Sequence, residues 1–338
     1  RFSRDWSSGV CSSVFWHLTG TDAGVIDGAG SFAFSNFANL AGGGGRDIFA
    51  FDAGVSLTGA LSGGGGADTL DFSAEGAALS WDIVGTDAGT VLEAAVPRIT
   101  GGFSAIENAV GSGGSDTFVM LDAGDLLTGR ADGGAGIDTL TYTPGGGTCW
   151  EITALGEGVI DNRMDFAGME NLTAGAGNDL FAFALGGGIA GTIDAGAGSD
   201  ALDFSAWSAS RPVAVDLATS TATGIGGGFA GIEMLYGGGG YDSLRGPDDA
   251  NTWSVTGFDT GTIDAGWMDF AGFETLRGGD AADTFSFSPL SGLRNGVDGG
   301  AGVDTVTTAG LFTNNTWQIE EAGGGYLRTV YGGIDFGG

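Results

Sequence analysis

One short motif of the form G-G-x-G-x-D, in which Ser or Ala replaces one glycine in some copies, recurs nine times along this chain and constrains its fold more than any other feature. Two examples are residues 42–47 and 299–304. Successive closing aspartates lie 21, 48, 22, 41, 21, 42, 41 and 21 residues apart, close to multiples of 21. Such a period is the signature of a repeat architecture. The closing residues are Asp47, Asp68, Asp116, Asp138, Asp179, Asp200, Asp242, Asp283 and Asp304.

A larger repeat contains these motifs and opens with a tryptophan. Most of these units are 64 to 69 residues long, which is three times 21 or slightly more. We predict a single solenoid domain over residues 1–338. The opening tryptophans are Trp16, Trp81, Trp150, Trp253 and Trp317. The predicted units are 16–80, 81–149, 150–212, a shortened 213–252, 253–316 and an incomplete 317–338.

The residues after each motif alternate in polarity, as a short strand requires. In Phe49-Ala50-Phe51 and Phe285-Ser286-Phe287 the aromatic side chains share one face. Strands this short bury that face only by stacking on one another. We therefore predict an all-β fold, a parallel β-solenoid of the β-helix or β-roll kind. It would have about 21 residues per coil and three coils per 63-residue repeat. We expect the tryptophans to pack inside it.

The glycine-rich turns have two interpretations. Stacked turns bring backbones together and need positive φ, so glycine and aspartate serve as steric turn formers. Alternatively the turns bind Ca²⁺, which takes six to eight hard oxygen ligands such as carbonyls and carboxylates. The second interpretation predicts all nine aspartates as metal ligands, with ions between neighbouring turns. Asp242 has no neighbour 21 residues away, so we expect its site to be weaker or empty.

These turns resemble the hemolysin-type (RTX) calcium-binding repeat of secreted bacterial proteins, and the longer unit resembles repeats of large bacterial surface adhesins. The resemblance implies a β-roll or β-helix, Ca²⁺ as cofactor, and an extracellular, secreted or cell-surface location. It covers the turns alone, about a sixth of the chain. RTX motifs usually recur every nine residues, whereas these recur every 21.

The charge excludes several classes of partner. The net charge is −31, with 42 acidic residues against 11 basic ones. Such a surface repels phosphates, so we expect no nucleic-acid binding. Uncharged stretches such as residues 217–232 are too short and too polar to span a bilayer, so we expect no membrane insertion.

We expect no enzymatic activity. The chain has one histidine and no lysine, and it lacks the common nucleophile, metalloprotease and phosphate-loop motifs. The leading hypothesis is a calcium-stabilised structural protein that forms or belongs to a surface filament by end-to-end stacking. Its partner would be a head-to-tail copy of itself or the adjacent domains of one long chain. The alternatives are a ligand- or glycan-binding adhesin module and, less favoured, a carbohydrate-active β-helix.

Overall fold

The chain folds entirely into short β-strands in the residues that can be described. The computed structural model describes residues 13–27 and 30–308, and the backbone of three further strands between residues 316 and 337. Every regular element in these ranges is a strand. Consequently, no helix in the described part of the chain has the length and apolarity needed to cross a bilayer.

Most strands have two to six residues. The first nineteen are β1 (Phe15–Gly20), β2 (Ala23–Asp27), β3 (Ser31–Ser35), β4 (Leu40–Ala41), β5 (Ile48–Phe51), β6 (Leu61–Ser62), β7 (Thr69–Asp71), β8 (Leu79–Ile83), β9 (Gly89–Glu93), β10 (Val96–Pro97), β11 (Phe103–Ser104), β12 (Asn108–Val110), β13 (Thr117–Met120), β14 (Arg130–Asp132), β15 (Thr139–Tyr142), β16 (Cys149–Ala154), β17 (Glu157–Ile160), β18 (Met164–Ala167) and β19 (Asn171–Thr173). The others are β20 (Leu180–Phe183), β21 (Thr192–Asp194), β22 (Ala201–Asp203), β23 (Ala214–Asp216), β24 (Thr221–Ala222), β25 (Gly228–Ala230), β26 (Met234–Tyr236), β27 (Ser243–Arg245), β28 (Thr252–Gly257), β29 (Thr260–Ile263), β30 (Met268–Ala271), β31 (Thr275–Arg277), β32 (Thr284–Phe287), β33 (Gly296–Asp298), β34 (Thr305–Thr308), β35 (Thr316–Glu321), β36 (Gly324–Thr329) and β37 (Gly332–Gly337).

The chain forms two compact units. The first comprises residues 1–145 and 159–173. One row of its strands runs β3–β2–β1–β5–β7–β12–β14–β18, antiparallel as far as β1 and parallel from there. A second row runs β4–β6–β11–β9–β8–β13–β15–β19, where only the pairs that β9 forms are antiparallel.

The second unit, residues 146–158 and 174–338, repeats this organisation. One row runs β16–β20–β22–β26–β30–β29–β28–β32–β34, with antiparallel pairing only around β29. Another runs β24–β23–β27–β31–β33–β37–β36–β35, with β24 and the last two strands antiparallel to their neighbours. Strands β21 and β25 form a further parallel pair.

The core is made of inward-facing side chains in register on successive strands. Phe49 pairs with Leu70, and Leu70 pairs with Ala109, and all three are buried. The recurring tryptophans extend this packing. Trp81 stacks on Phe118 with ring centroids 5.1 Å apart, and the equivalent pairs formed by Trp16, Trp150 and Trp253 have the same geometry. The prediction of an all-β fold dominated by short parallel strands is confirmed.

The sequence separation of parallel neighbours takes two ranges of values. Where two motif turns follow each other directly, paired residues lie 21 or 22 positions apart, as for Ile48 with Thr69 or Thr117 with Thr139. Elsewhere antiparallel hairpins or longer loops intervene. The separation then grows, as between Phe15 and Ile48 or between Leu61 and Phe103.

Candidate metal centres in the glycine-rich turns

The predicted ligand aspartates lie inside the stacked turns. Eight of the nine carboxylate side chains are buried, and that of Asp304 is half-buried. A buried carboxylate is costly unless hydrogen bonds or charges compensate it. The partners of these groups therefore decide what the turns can do. The buried residues are Asp47, Asp68, Asp116, Asp138, Asp179, Asp200, Asp242 and Asp283.

The aspartates are joined through their own backbone amides. The N–H of Asp47 donates to Oδ1 of Asp68 at 2.7 Å. The same bond joins each of the other three predicted pairs, at 2.7 to 2.9 Å. The first aspartate of each pair accepts an N–H from an earlier coil on its own Oδ1, as Asp47 does from Val14 at 2.9 Å. We call this chain of amide-to-carboxylate bonds the carboxylate ladder.

Glutamates extend the ladder, and the sequence reasoning did not identify them. The N–H of Asp68 donates to Oε2 of Glu107 at 2.6 Å, and that of Asp138 donates to Oε2 of Glu170 at 2.8 Å. Glu233 and Glu274 accept from Asp200 and Asp242 in the same way. Their position in the sequence could have identified them, because each glutamate stands four residues after a phenylalanine.

Eight of the nine motif turns fall into two kinds. In the A turns, which end at Asp47, Asp116, Asp242 and Asp283, the residue four before the aspartate donates its N–H to Oδ2. In the B turns, which end at Asp68, Asp138, Asp200 and Asp304, the glycines four and two before the aspartate have φ between +85° and +157°. Glycine adopts this left-handed backbone conformation without the steric cost that a Cβ brings.

This difference explains both departures that replace the second or third glycine of the motif. Ser112 and Ala281 stand in A turns, where the positions have no left-handed φ. All eight equivalent positions in the B turns are glycine. The motif therefore includes glycines that backbone conformation requires and glycines that it does not.

Burial raises the pKa of several ladder carboxyls. Desolvation is the largest cause for Asp138, whose pKa rises to about 6, and the neighbouring carboxylates of Asp116 and Glu170 add to it. The amide of Asp116 lowers it only in part. Burial likewise raises the pKa of Asp68 and Asp200. These three groups favour a partner that offsets their negative charge.

A second set of aspartates, which sequence reasoning also missed, joins segments that lie far apart in the sequence. Asp22 has a φ of 55° and accepts both the N–H and the hydroxyl of Thr58, at 2.8 and 2.6 Å. Asp87, also with a φ of 55°, binds Thr128 in the same manner. Their carboxylates clamp these segments together, which is a structural role.

The donor set of the B turns fits a hard cation, and that of the A turns is already engaged. Oδ2 of Asp68, Asp138 and Asp200 is buried and accepts no hydrogen bond. Ca²⁺ binds such oxygens together with backbone carbonyls. In contrast, both oxygens of Asp47 and Asp283 accept backbone amides. In the described part of the chain, no three His, Cys, Asp or Glu side chains cluster around one point, so carbonyls must supply most ligands.

Comparison with known proteins adds no further assignment. No protein-family model matches the chain, and no curated protein matches it. The prediction that all nine aspartates bind metal stays a prediction.

Proposed function

We propose that this chain is a non-enzymatic structural protein, a β-solenoid that forms or belongs to an extracellular filament. The carboxylate ladder is the observation that carries the proposal, because it joins coil to coil at the same position through each unit. At each of these bonds, a parallel strand pair is joined by a charge-assisted hydrogen bond as well. In this proposal the bonds hold stacked coils together, with closed coils of about 21 residues where motif turns follow directly and longer coils elsewhere.

Calcium is the proposed cofactor, and its ligands would be the open oxygens of the B turns. Oδ2 of Asp68, Asp138 and Asp200 would bind it together with turn carbonyls. The bound ion supplies positive charge where three buried carboxyls with raised pKa need it. It also reduces the self-repulsion of a chain with a net charge of −31. Folding would then be linked to calcium, which is abundant outside cells.

End-to-end association is the proposed mode of assembly, since a solenoid exposes strand edges at its ends. A contact that joins one end to a different end does not close on itself and propagates as a filament. Secretion and a bacterial surface location remain proposals that rest on the likeness of the turns to RTX repeats.

Negative-stain electron microscopy of the purified chain tests the proposal. With millimolar calcium we expect unbranched filaments one solenoid wide, whose length increases with protein concentration. Isolated particles of constant length at every concentration would refute self-assembly. They would leave the chain as an element of a longer assembly or as an adhesin module.

A further inference from the structure

A strand pair recurs along the chain and always lies on a coil of one kind. Its first strand contains a buried phenylalanine and its second strand follows a few residues later. The pairs β11/β12 and β18/β19 lie in parallel on β6/β7 and β14/β15. The pairs β25/β26 and β30/β31 lie likewise on β21/β22 and β26/β27. Each supporting coil consists of two short strands joined by a G-G-x-G-x-D turn or its close variant.

Strands β3 and β4 form the same kind of pair. Phe34 matches Phe166 of β18, and Asn36 has the same left-handed φ, 61°, as Gly168, 58°, two residues after its phenylalanine. Strand β3 pairs with β2 on one edge, and β4 pairs with β6. Across residues 13–27 and 30–308, these are the pairings that β3 and β4 form, and no other strand lies on their second edges. We call these two edges, which no described strand covers, together with Phe32 and Phe37, the β3–β4 face.

Two phenylalanines of this face are exposed where the equivalent residues of covered pairs are buried. Phe37 is 57% exposed, whereas the equivalent Met169 and Phe273 of covered pairs are 0% exposed. Phe32 is 65% exposed, whereas the equivalent Met268 is 1% exposed. The position of Phe37 is buried in all four covered pairs, and the position of Phe32 is buried in the two pairs that carry a methionine there. The two aromatic side chains therefore occupy positions that elsewhere belong to the core.

The five motif coils whose strands could cover this face are already occupied. Strands β6, β14, β21, β26 and β33 pair with β11, β18, β25, β30 and β37 respectively. Residues 31–41 contain no charged side chain, in a chain with 42 acidic residues. An uncharged free edge with exposed aromatics is suited to strand addition, in which main-chain bonds give affinity and apolar side chains give register.

We propose that the β3–β4 face is a docking site for one parallel coil of a partner polypeptide, two short strands joined by a G-G-x-G-x-D turn. The inference rests on the proposed end-to-end association. It adds the surface at which that association occurs and the kind of coil that binds there. An apolar residue of the incoming first strand lies beside Phe34, as Ala131 lies beside Phe166. An apolar residue of its second strand lies beside Leu40, as Leu140 lies beside Leu172. The added coil buries Phe32 and Phe37.

A labelled peptide of residues 294–308, which spans β33, its turn and β34, is the probe. Fluorescence anisotropy measures its binding to the full chain. We expect saturable binding of the peptide to the parent chain. The double variant Phe32→Glu/Phe37→Glu should weaken binding by more than about tenfold, because it removes the two phenylalanines that the bound peptide would bury. The control Phe258→Glu, at a side chain that is also 57% exposed, should bind as the parent does. A peptide carrying Val297→Pro and Val306→Pro should not bind.

A photo-cross-linking amino acid at position 32 or 37 gives a second, independent measurement. We expect cross-links to the peptide from both positions and none from position 258. No peptide binding with no cross-link, or equal binding to parent and double variant, would overturn the docking site. Filaments of the parent chain without any peptide binding would also overturn it, while end-to-end assembly itself would stand. Specific peptide binding without filaments would support the site and refute self-assembly.

Discussion

Two alanine substitutions at matched motif positions separate the A turns from the B turns. Gly43 and Gly64 are the residues four before Asp47 and Asp68, in turns that stack directly on each other. Gly64 has a φ of +104°, whereas the φ of Gly43 lies outside the left-handed region. A Cβ added at Gly64 would overlap the carbonyl oxygen of Gly43. A Cβ added at Gly43 meets nothing closer than Oδ2 of Asp47 at 3.9 Å.

These contacts give very different expected losses of stability. A left-handed backbone costs a residue with a Cβ about 1–2 kcal/mol. Relieving the overlap with a backbone atom costs a further 1–3 kcal/mol or so. We therefore expect Gly64→Ala to lower the free energy of unfolding by about 2–5 kcal/mol. Gly43→Ala should change it by less than about 1 kcal/mol, since a compatible alanine mainly reduces the entropy of the unfolded chain.

Equilibrium urea unfolding in the presence of a chelator measures both values. Far-UV circular dichroism and tryptophan fluorescence should be followed together, because coincident transitions are needed for a two-state analysis. Gly43→Ser is a useful third variant, since Ser112 occupies the equivalent A-turn position naturally. Equal losses for Gly43→Ala and Gly64→Ala would refute the distinction between the turns.

Two further predictions concern buried charge. The folded pKa of Asp138 is raised to about 6, so its contribution to stability is greatest below about pH 4 and is lost as the pH rises through 6. In chelator, Asp138→Asn should remove up to about 3 kcal/mol of this pH dependence in urea unfolding, and an unchanged profile would contradict the burial argument. Arg98 is buried and bonds Glu75 at 2.7 Å and the carbonyl of Val55 at 3.0 Å. Arg98→Met should cost about 3–5 kcal/mol at pH 7 by leaving the buried carboxylate of Glu75 without its positively charged partner. Adding Glu75→Gln should recover part of that loss, and a small loss in Arg98→Met alone would show that the pair contributes little.

Glu75 gives the opposite dependence on pH. Burial raises the pKa of this carboxyl, but hydrogen bonds from the Gly54 amide and from Arg98 outweigh it and bring the pKa to about 2. Its stabilisation is therefore present above about pH 4.5 and is lost as the pH falls towards 2. In the absence of calcium, the combined contribution of Glu75 and Asp138 to stability is therefore greatest in mildly acidic solution.

The sequence locates the strands and the nine motif aspartates because both follow from local pattern, but it does not predict that the aspartates are buried. Alternation after each motif identifies one face of each strand, and a fixed period implies that equivalent faces stack. The glycine at position 64 and the glycine at position 43 look alike in the sequence, however. Only the backbone angles reveal that one is required and the other replaceable.

The partners of the aspartates could not be predicted from pattern. The amide of Asp68 bonds Glu107, 39 residues later in the sequence, and the amide of Asp138 bonds Glu170, 32 residues later. These sequence separations differ because the intervening hairpins differ in length. The uniform 21-residue spacing holds only where motif turns follow directly. The longer separations arise from hairpins such as β1–β2–β3, which alternation alone does not distinguish from further coils.

Thermal unfolding with and without calcium tests the central claim most directly, when the parent chain is compared with Asp68→Asn/Asp138→Asn/Asp200→Asn. The asparagines keep an oxygen for the ladder amides and remove the charge proposed to bind calcium. We expect millimolar calcium to raise the melting temperature of the parent well above its value in chelator, because a ligand that binds only the folded state stabilises it. The triple variant should have the same melting temperature in millimolar calcium as in chelator. A parent indifferent to chelator, or a triple variant that responds like the parent, would contradict calcium binding in the B turns.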